Sequence, residues 1–70
     1  MDKKVIGERL KELRGDKTVR QVASDLGISP SALTMYELGE RSPKDDVKKI
    51  LAGYYGTTVG ALFFAENTHT

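Results

Sequence analysis

Cysteine and tryptophan are absent from the 70-residue chain, and its single histidine, His69, stands one residue from the end. Without cysteines no disulfide can staple the fold, and without a His/Cys cluster no zinc site can replace one. A chain of this length buries only about 60% of the surface its unfolded form exposes, so stability must come from well-packed, well-capped elements. Long apolar runs are missing too. The longest, Ala61 to Ala65, falls far short of the roughly 18 residues that span a bilayer. The opening Met1-Asp2-Lys3-Lys4 leads into no apolar signal-peptide core, so a cytoplasmic protein with no membrane association is expected.

The same scarcity argues against catalysis. A nucleophile needs an adjacent base and an orienting group in a water-excluding pocket. Here there is no cysteine, the one histidine lies in a polar tail, and no glycine-rich phosphate loop occurs. The chain is expected not to be an enzyme and to need no cofactor or metal. An excess of one charge is also lacking: eleven basic residues face ten acidic ones, a net charge of +1. Residues 1–41 hold eight of the cations and seven of the acids, so the signs do not segregate along the chain either. A strongly basic total would argue for nucleic acid by itself; this balance leaves that argument to pattern.

What is present is helical periodicity. With 39% hydrophobic and 30% charged residues the composition is globular. Ile6, Leu10 and Leu13 fall at i, i+4 and i+7, so residues 3–14 read as an amphipathic helix ended by Gly15 in the left-handed conformation. Gly7 within it weakens the helix by about 1 kcal/mol relative to alanine. Thr18 and Gln21 form a T-x-x-Q capping box ahead of Val19, Val22, Ala23 and Leu26, and Gly27 stops this second helix. Ser29-Pro30 caps and starts a third, with Leu33 and Tyr36 inward and Gly39 at its end. Ser42-Pro43-Lys44-Asp45 repeats that start for a fourth helix, with Val47, Ile50, Leu51 and Tyr54 as its buried stripe and Gly56 as its close. A short fifth turn runs from Thr58 to Phe63 or Phe64, with Val59, Leu62 and Phe63 inward. No segment alternates with the strand period. The expected fold is all-α, four helices and a short fifth, in one domain over residues 1–64 followed by a polar tail, 65–70.

The stretch Val19 to Leu38, VRQVASDLGISPSALTMYEL, carries the functional signal. Two short helices joined by a glycine turn cross steeply. The point of closest approach needs a small residue, met by Ala23, and the turn needs a positive φ, met by Gly27. The angle between the helices needs apolar plugs, met by Val22, Leu26, Ile28, Leu33 and Tyr36. Seven demands met within residues 22–36 describe a helix-turn-helix.

These residues resemble the Cro/cI-type (XRE) helix-turn-helix domains of phage repressors and many small bacterial transcriptional regulators. The resemblance covers about residues 5–64, through IGERLKELR, VASDLGISPSAL, MYELGERSP and VKKILAGYYGTTVGALF. It implies a compact five-helix, lambda-repressor-like domain whose third helix enters the DNA major groove, usually as a dimer on paired half-sites about one helical turn apart. Carried over to this chain, it implies base reading by Ser29, Pro30, Ser31, Thr34 and Met35. Ser31 and Thr34 can hydrogen-bond to more than one base, and Thr34 and Met35 can touch a thymine methyl. Since none is Arg, Asn or Gln, DNA shape is expected to share the discrimination. Phosphate contacts are expected from Arg20, Arg41 and Lys44 and from the helix N-termini at Thr18 and Ser29. The chain departs from its relatives at Val19, where a phosphate-contacting glutamine is common, in a shorter loop at 15–17, and at Gly60 and Ala61, where acids are common.

Arg14 and Glu37 match a pair that in this family joins helix 1 to the reading helix, and they are expected to be structural. Tyr36 and Tyr54 are expected in the core, and Tyr55 at the surface or an interface. Tyr55, Leu62, Phe63 and Phe64 are the candidate dimer interface, and Lys48 and Lys49 a solvated face. The expected function is a sequence-specific DNA-binding transcriptional regulator of the phage or mobile-element kind. It would be a homodimeric repressor that occludes a promoter at a palindromic operator, in a bacterial or phage-infected cytoplasm at the nucleoid. The alternative is a helical protein-interaction module, including an antitoxin-like partner, with weak or no DNA affinity.

Overall fold

Capping side chains and glycines cut the chain into five helical pieces in the computed structural model, which describes residues 2–64. They are α1 (Lys3–Arg14), α2 (Val19–Leu26), α3 (Pro30–Leu38), α4 (Asp45–Tyr54) and α5 (Gly60–Phe64), the last a single turn of wide, π-type helix. The described residues include no strand, so the fold is all-α with five helices. The expected tail, 65–70 with His69, lies outside them. No helix among them is long and apolar enough to cross a membrane.

Three helices start on side-chain caps that satisfy backbone N–H groups left open by the helix geometry. Lys4 N donates to Asp2 Oδ1, Gln21 N to Thr18 Oγ1 and Ala32 N to Ser29 Oγ, each at 3.0 Å. The fourth start differs from the sequence expectation. Ser42-Pro43 does not open α4; Lys44 occupies the cap position with no side-chain hydrogen bond, and the helix begins at Asp45. Pro43 is buried, so its ring is used for packing, while Asp45 and Asp46 place negative charge at the positive end of the helix dipole.

Gly27 (φ 75°) and Gly39 (φ 74°) end α2 and α3 in the left-handed conformation. The amide one residue further on reaches back to the helix, Ile28 N to Ala23 O and Glu40 N to Met35 O, both at 3.0 Å. A side chain at either glycine would oppose that backbone. Gly15 ends α1 differently from expectation, at φ 59° and ψ −127°, a positive-φ conformation outside the left-handed helical region.

The core is one cluster of Leu10, Val22, Ala23, Leu26, Leu33, Tyr36, Leu51, Ala52, Leu62 and Phe63. Two residues expected inside are not: Leu13 and Ile50 remain 43% and 45% exposed. Leu13 borders an open groove between α1 and α5 that no described residue fills. Ile50 is turned outward beside Leu51, and Ala52, which periodicity did not single out, is buried instead. In α5 the wide turn brings consecutive side chains closer in direction than an α-helix does, so Leu62 and Phe63 both face the core. Thr58 Oγ1 caps this turn by accepting from Ala61 N at 3.0 Å. Arg9 Nη1 donates to Ala61 O and Leu62 O at 3.2 Å, tying the turn to α1.

Gly7 has a role that helix propensity hides. A Cβ built there would overlap the carbonyl oxygen of Glu37, and one at Gly39 would lie 2.8 Å from Lys4 Cα. The two glycines let the backbones of α1 and of the end of α3 touch. The glycine that weakens an isolated helix is the one that admits its partner.

Candidate nucleic-acid interface

The α2–turn–α3 unit is built from its inside outward. Val22, Ala23 and Leu33 are fully buried, Leu26 and Tyr36 nearly so, and Ile28 packs against them. Ala32 also packs on this core and Glu37 is turned to α1, which leaves one face of α3 outward. Ser29, Pro30, Ser31, Thr34 and Met35 are all exposed. The Ser29 hydroxyl serves its own helix as cap, and the Thr18 hydroxyl does the same for α2. At both starts the uncapped N–H groups therefore remain as donors for an anion. Arg20, Arg41 and Lys44 are exposed, and their side chains hold no hydrogen bond or ion pair among the described residues.

The outward face is braced from its α1 side. Arg14 Nε donates to Glu37 Oε2 at 2.8 Å and Nη2 to Oε1 at 3.0 Å, a bidentate ion pair whose side chains are only 16% and 6% exposed. Its third contact, Nη1 to Lys17 O at 2.7 Å, pins the loop that leads to the Thr18 cap. One guanidinium thus joins α1, the α2 N-terminus and α3. The hydrogen bond to Glu37 raises the Arg14 pKa, with the Glu37 charge adding to it against desolvation.

The two adjacent tyrosines both pack, partly buried, against the core, and they differ in where their hydroxyls lie. Tyr54 keeps its hydroxyl in a surface network, donating to Asp25 Oδ2 at 2.7 Å and accepting from Lys17 Nζ at 3.1 Å. That hydrogen bond raises the Lys17 pKa. Tyr55 is the one whose hydroxyl is buried, with no hydrogen-bond partner among the described residues. Burial first, then the Glu37 and Tyr54 charges, pushes its pKa up to about 12, against an opposing effect of Arg14. Periodicity could not assign the pair because adjacent residues straddle the boundary of a helical stripe.

Of the candidate dimer group, Leu62 and Phe63 are buried within the chain and Tyr55 is half-buried; Phe64 is 60% exposed. The Lys48 ammonium stands 5.7 Å from the Phe63 ring centre and 4.9 Å from that of Phe64, and 3.8 Å from Asp45. Lys48 is therefore a partner of the aromatic end rather than a solvated side chain. Sequence reasoning also passed over Lys4, Lys11 and Leu38. They line a cleft of about 370 Å³ between α1 and α3, together with Val19, Thr34 and Glu37.

Two short helices locked at a glycine turn, with a polar outward face on the second and cations beside it, define a helix-turn-helix. Residues 5–62 match the helix-turn-helix domain family, and the chain belongs to it, consistent with the Cro/cI-type resemblance of its sequence. No curated protein and no solved structure matches the chain. Members of this family bind DNA and are not catalysts, so the chain is a DNA-binding regulatory protein. No group of three or more His, Cys, Asp or Glu among the described residues is placed to hold a metal ion.

Proposed function

We propose that the chain is a sequence-specific repressor that occludes a promoter as a homodimer, of the kind used by phages and mobile elements. α3 lies in the major groove with Ser31, Thr34 and Met35 toward base edges and Ser29 and Pro30 at its entry. Arg20, Arg41 and Lys44, with the N-terminal amides at Thr18 and Ser29, fix the register on phosphates. One observation carries the reading: Ser31, Thr34 and Met35 on α3 are exposed and have no side-chain hydrogen bond among the described residues, while Leu33 and Tyr36 of the same helix are buried in the core. Hydroxyls and a thioether discriminate bases less sharply than bidentate side chains do, so sequence-dependent DNA shape contributes to the choice of operator.

Selection from a random duplex library at near-physiological salt tests this. A palindromic consensus with half-site centres about 10–11 base pairs apart is the expected product. A folded protein that enriches no sequence overturns it in favour of a second reading, a protein-interaction module of the antitoxin kind. The exposed Phe64 at the end of α5 is the feature that favours that second reading.

A further inference from the structure

The cleft between α1 and the end of α3 has a composition that the reading face does not use. Lys4, Glu8 and Lys11 fall at i, i+4 and i+7 of α1 and line one side. Arg14 and Glu37 stand in it as well but neutralise each other through their ion pair. Lys4 and Lys11 are exposed and make no ion pair among the described residues, with Glu8 as the remaining acid. The other side is Val19, Thr34 and Leu38, and Leu38 leaves 58% of its surface in solvent at the last position of α3. A cleft lined by two unpaired lysines together with Val19 and Leu38 suits a polymer of anionic phosphates alternating with apolar deoxyribose edges. Thr34 belongs to both the cleft and the proposed reading face, so the two surfaces are continuous.

We infer that this cleft holds a stretch of the DNA sugar–phosphate backbone. Lys4 and Lys11 contact phosphates, and Val19 and Leu38 pack on the sugars between them. The inference rests on the docking of α3 proposed above and extends the footprint from α2, α3 and the α3–α4 segment to α1. Val19 then takes part in the interface through its apolar surface, a contribution independent of any hydrogen bond. Gly7 and Gly39 matter to it as well, because the backbone contact they allow sets how close the α1 lysines stand to α3.

The test is the salt dependence of binding to a duplex taken from the enriched library pool. It compares the unsubstituted protein, Lys4→Gln/Lys11→Gln, Lys4→Arg/Lys11→Arg and Arg20→Gln/Lys44→Gln. Removing one cation from a phosphate makes the slope of log affinity against log salt shallower by about 1, so Lys4→Gln/Lys11→Gln should flatten it by about 2. The arginine pair should keep the original slope, and both pairs should unfold at the unsubstituted temperature. An unchanged slope in Lys4→Gln/Lys11→Gln, with a flattened slope in Arg20→Gln/Lys44→Gln, overturns the α1 contact alone. Unchanged slopes in both, or no salt-dependent binding by the unsubstituted protein, overturn the docking of α3 with it.

Discussion

The α1–α3 contact and the α4–α5 end differ in how tightly they are closed. At the first, two glycines bring backbones into contact, a bidentate ion pair closes one side and the loop before α2 is fastened to it. At the second, α5 is one turn long, Ile50 and Phe64 stay 45% and 60% exposed, and the Lys48 ammonium lies against the Phe64 ring. The first region holds α3 at a fixed angle with its polar face outward. The second leaves apolar surface in solvent. Rigidity behind a reading helix keeps its side chains in register with a duplex, whereas an assembly surface requires only accessible area.

The largest expected effect breaks the tight region. Gly7→Ala forces a methyl group against the Glu37 carbonyl, which is backbone and cannot rotate away. Overpacking of this kind costs about 3 kcal/mol, more than the roughly 1 kcal/mol that alanine returns in helix propensity. Thermal unfolding followed by circular dichroism should show a clear drop in midpoint, and a rise would mean that α1 and α3 are not in backbone contact. Next comes Arg14→Ala, which strands a largely buried Glu37 and should cost about 2 kcal/mol, less than a fully buried pair because Arg14 keeps some solvent. A double-mutant cycle with Glu37→Gln should return a coupling energy of the same sign; additive effects would dissolve the brace.

A smaller effect sits where the two regions meet. Tyr55 binds its proton more tightly in the folded chain, its pKa raised from 10.0 to about 12. The neutral phenol thus contributes stability that is fully present below pH 10.0 and is lost as pH rises through about 12. Tyr55→Phe should remove that alkaline decline in a series of denaturant titrations across the same pH window. If the variant loses stability with pH as steeply as the parent, the hydroxyl is not buried beside Glu37. Smallest of all is Phe64→Ser, expected within about 0.5 kcal/mol of the parent in dilute solution because the ring is mostly in water. Analytical ultracentrifugation at rising concentration sharpens the contrast, since the variant should shift any self-association while Gly7→Ala should not.

Most of the fold was legible because its determinants are local. As caps and stops, Thr18, Ser29, Gly27 and Gly39 act within a few residues of themselves, so these could be placed from sequence. Ala23 and its apolar neighbours were legible as a set, since a steep helix crossing asks for those residue types at those spacings. Other features depend on which element lies opposite. Leu13 and Ile50 keep the period of a buried stripe yet have no described residue above them, and Gly7 reads as a weakness until the end of α3 is seen against it. The start of α4 was misplaced because Ser-Pro is a common start signal, whereas here Pro43 is buried ahead of the helix and Lys44 takes the cap position. Among the site residues, exposed positions on α3 follow from knowing its buried ones. The cleft of Lys4 and Lys11 does not, because it exists only once α1 and α3 are brought together.

If the free face of α3 and the cations beside it form the DNA-binding surface, charge reversal there must abolish most of the affinity. Arg20→Glu/Lys44→Glu and the parent would be titrated against one duplex over a salt series. The expected outcome is much weaker binding at low salt, a slope shallower by about 2 and an unchanged unfolding midpoint. Equal affinity and an equal slope for the two proteins would contradict this surface and move DNA binding to another face of the domain.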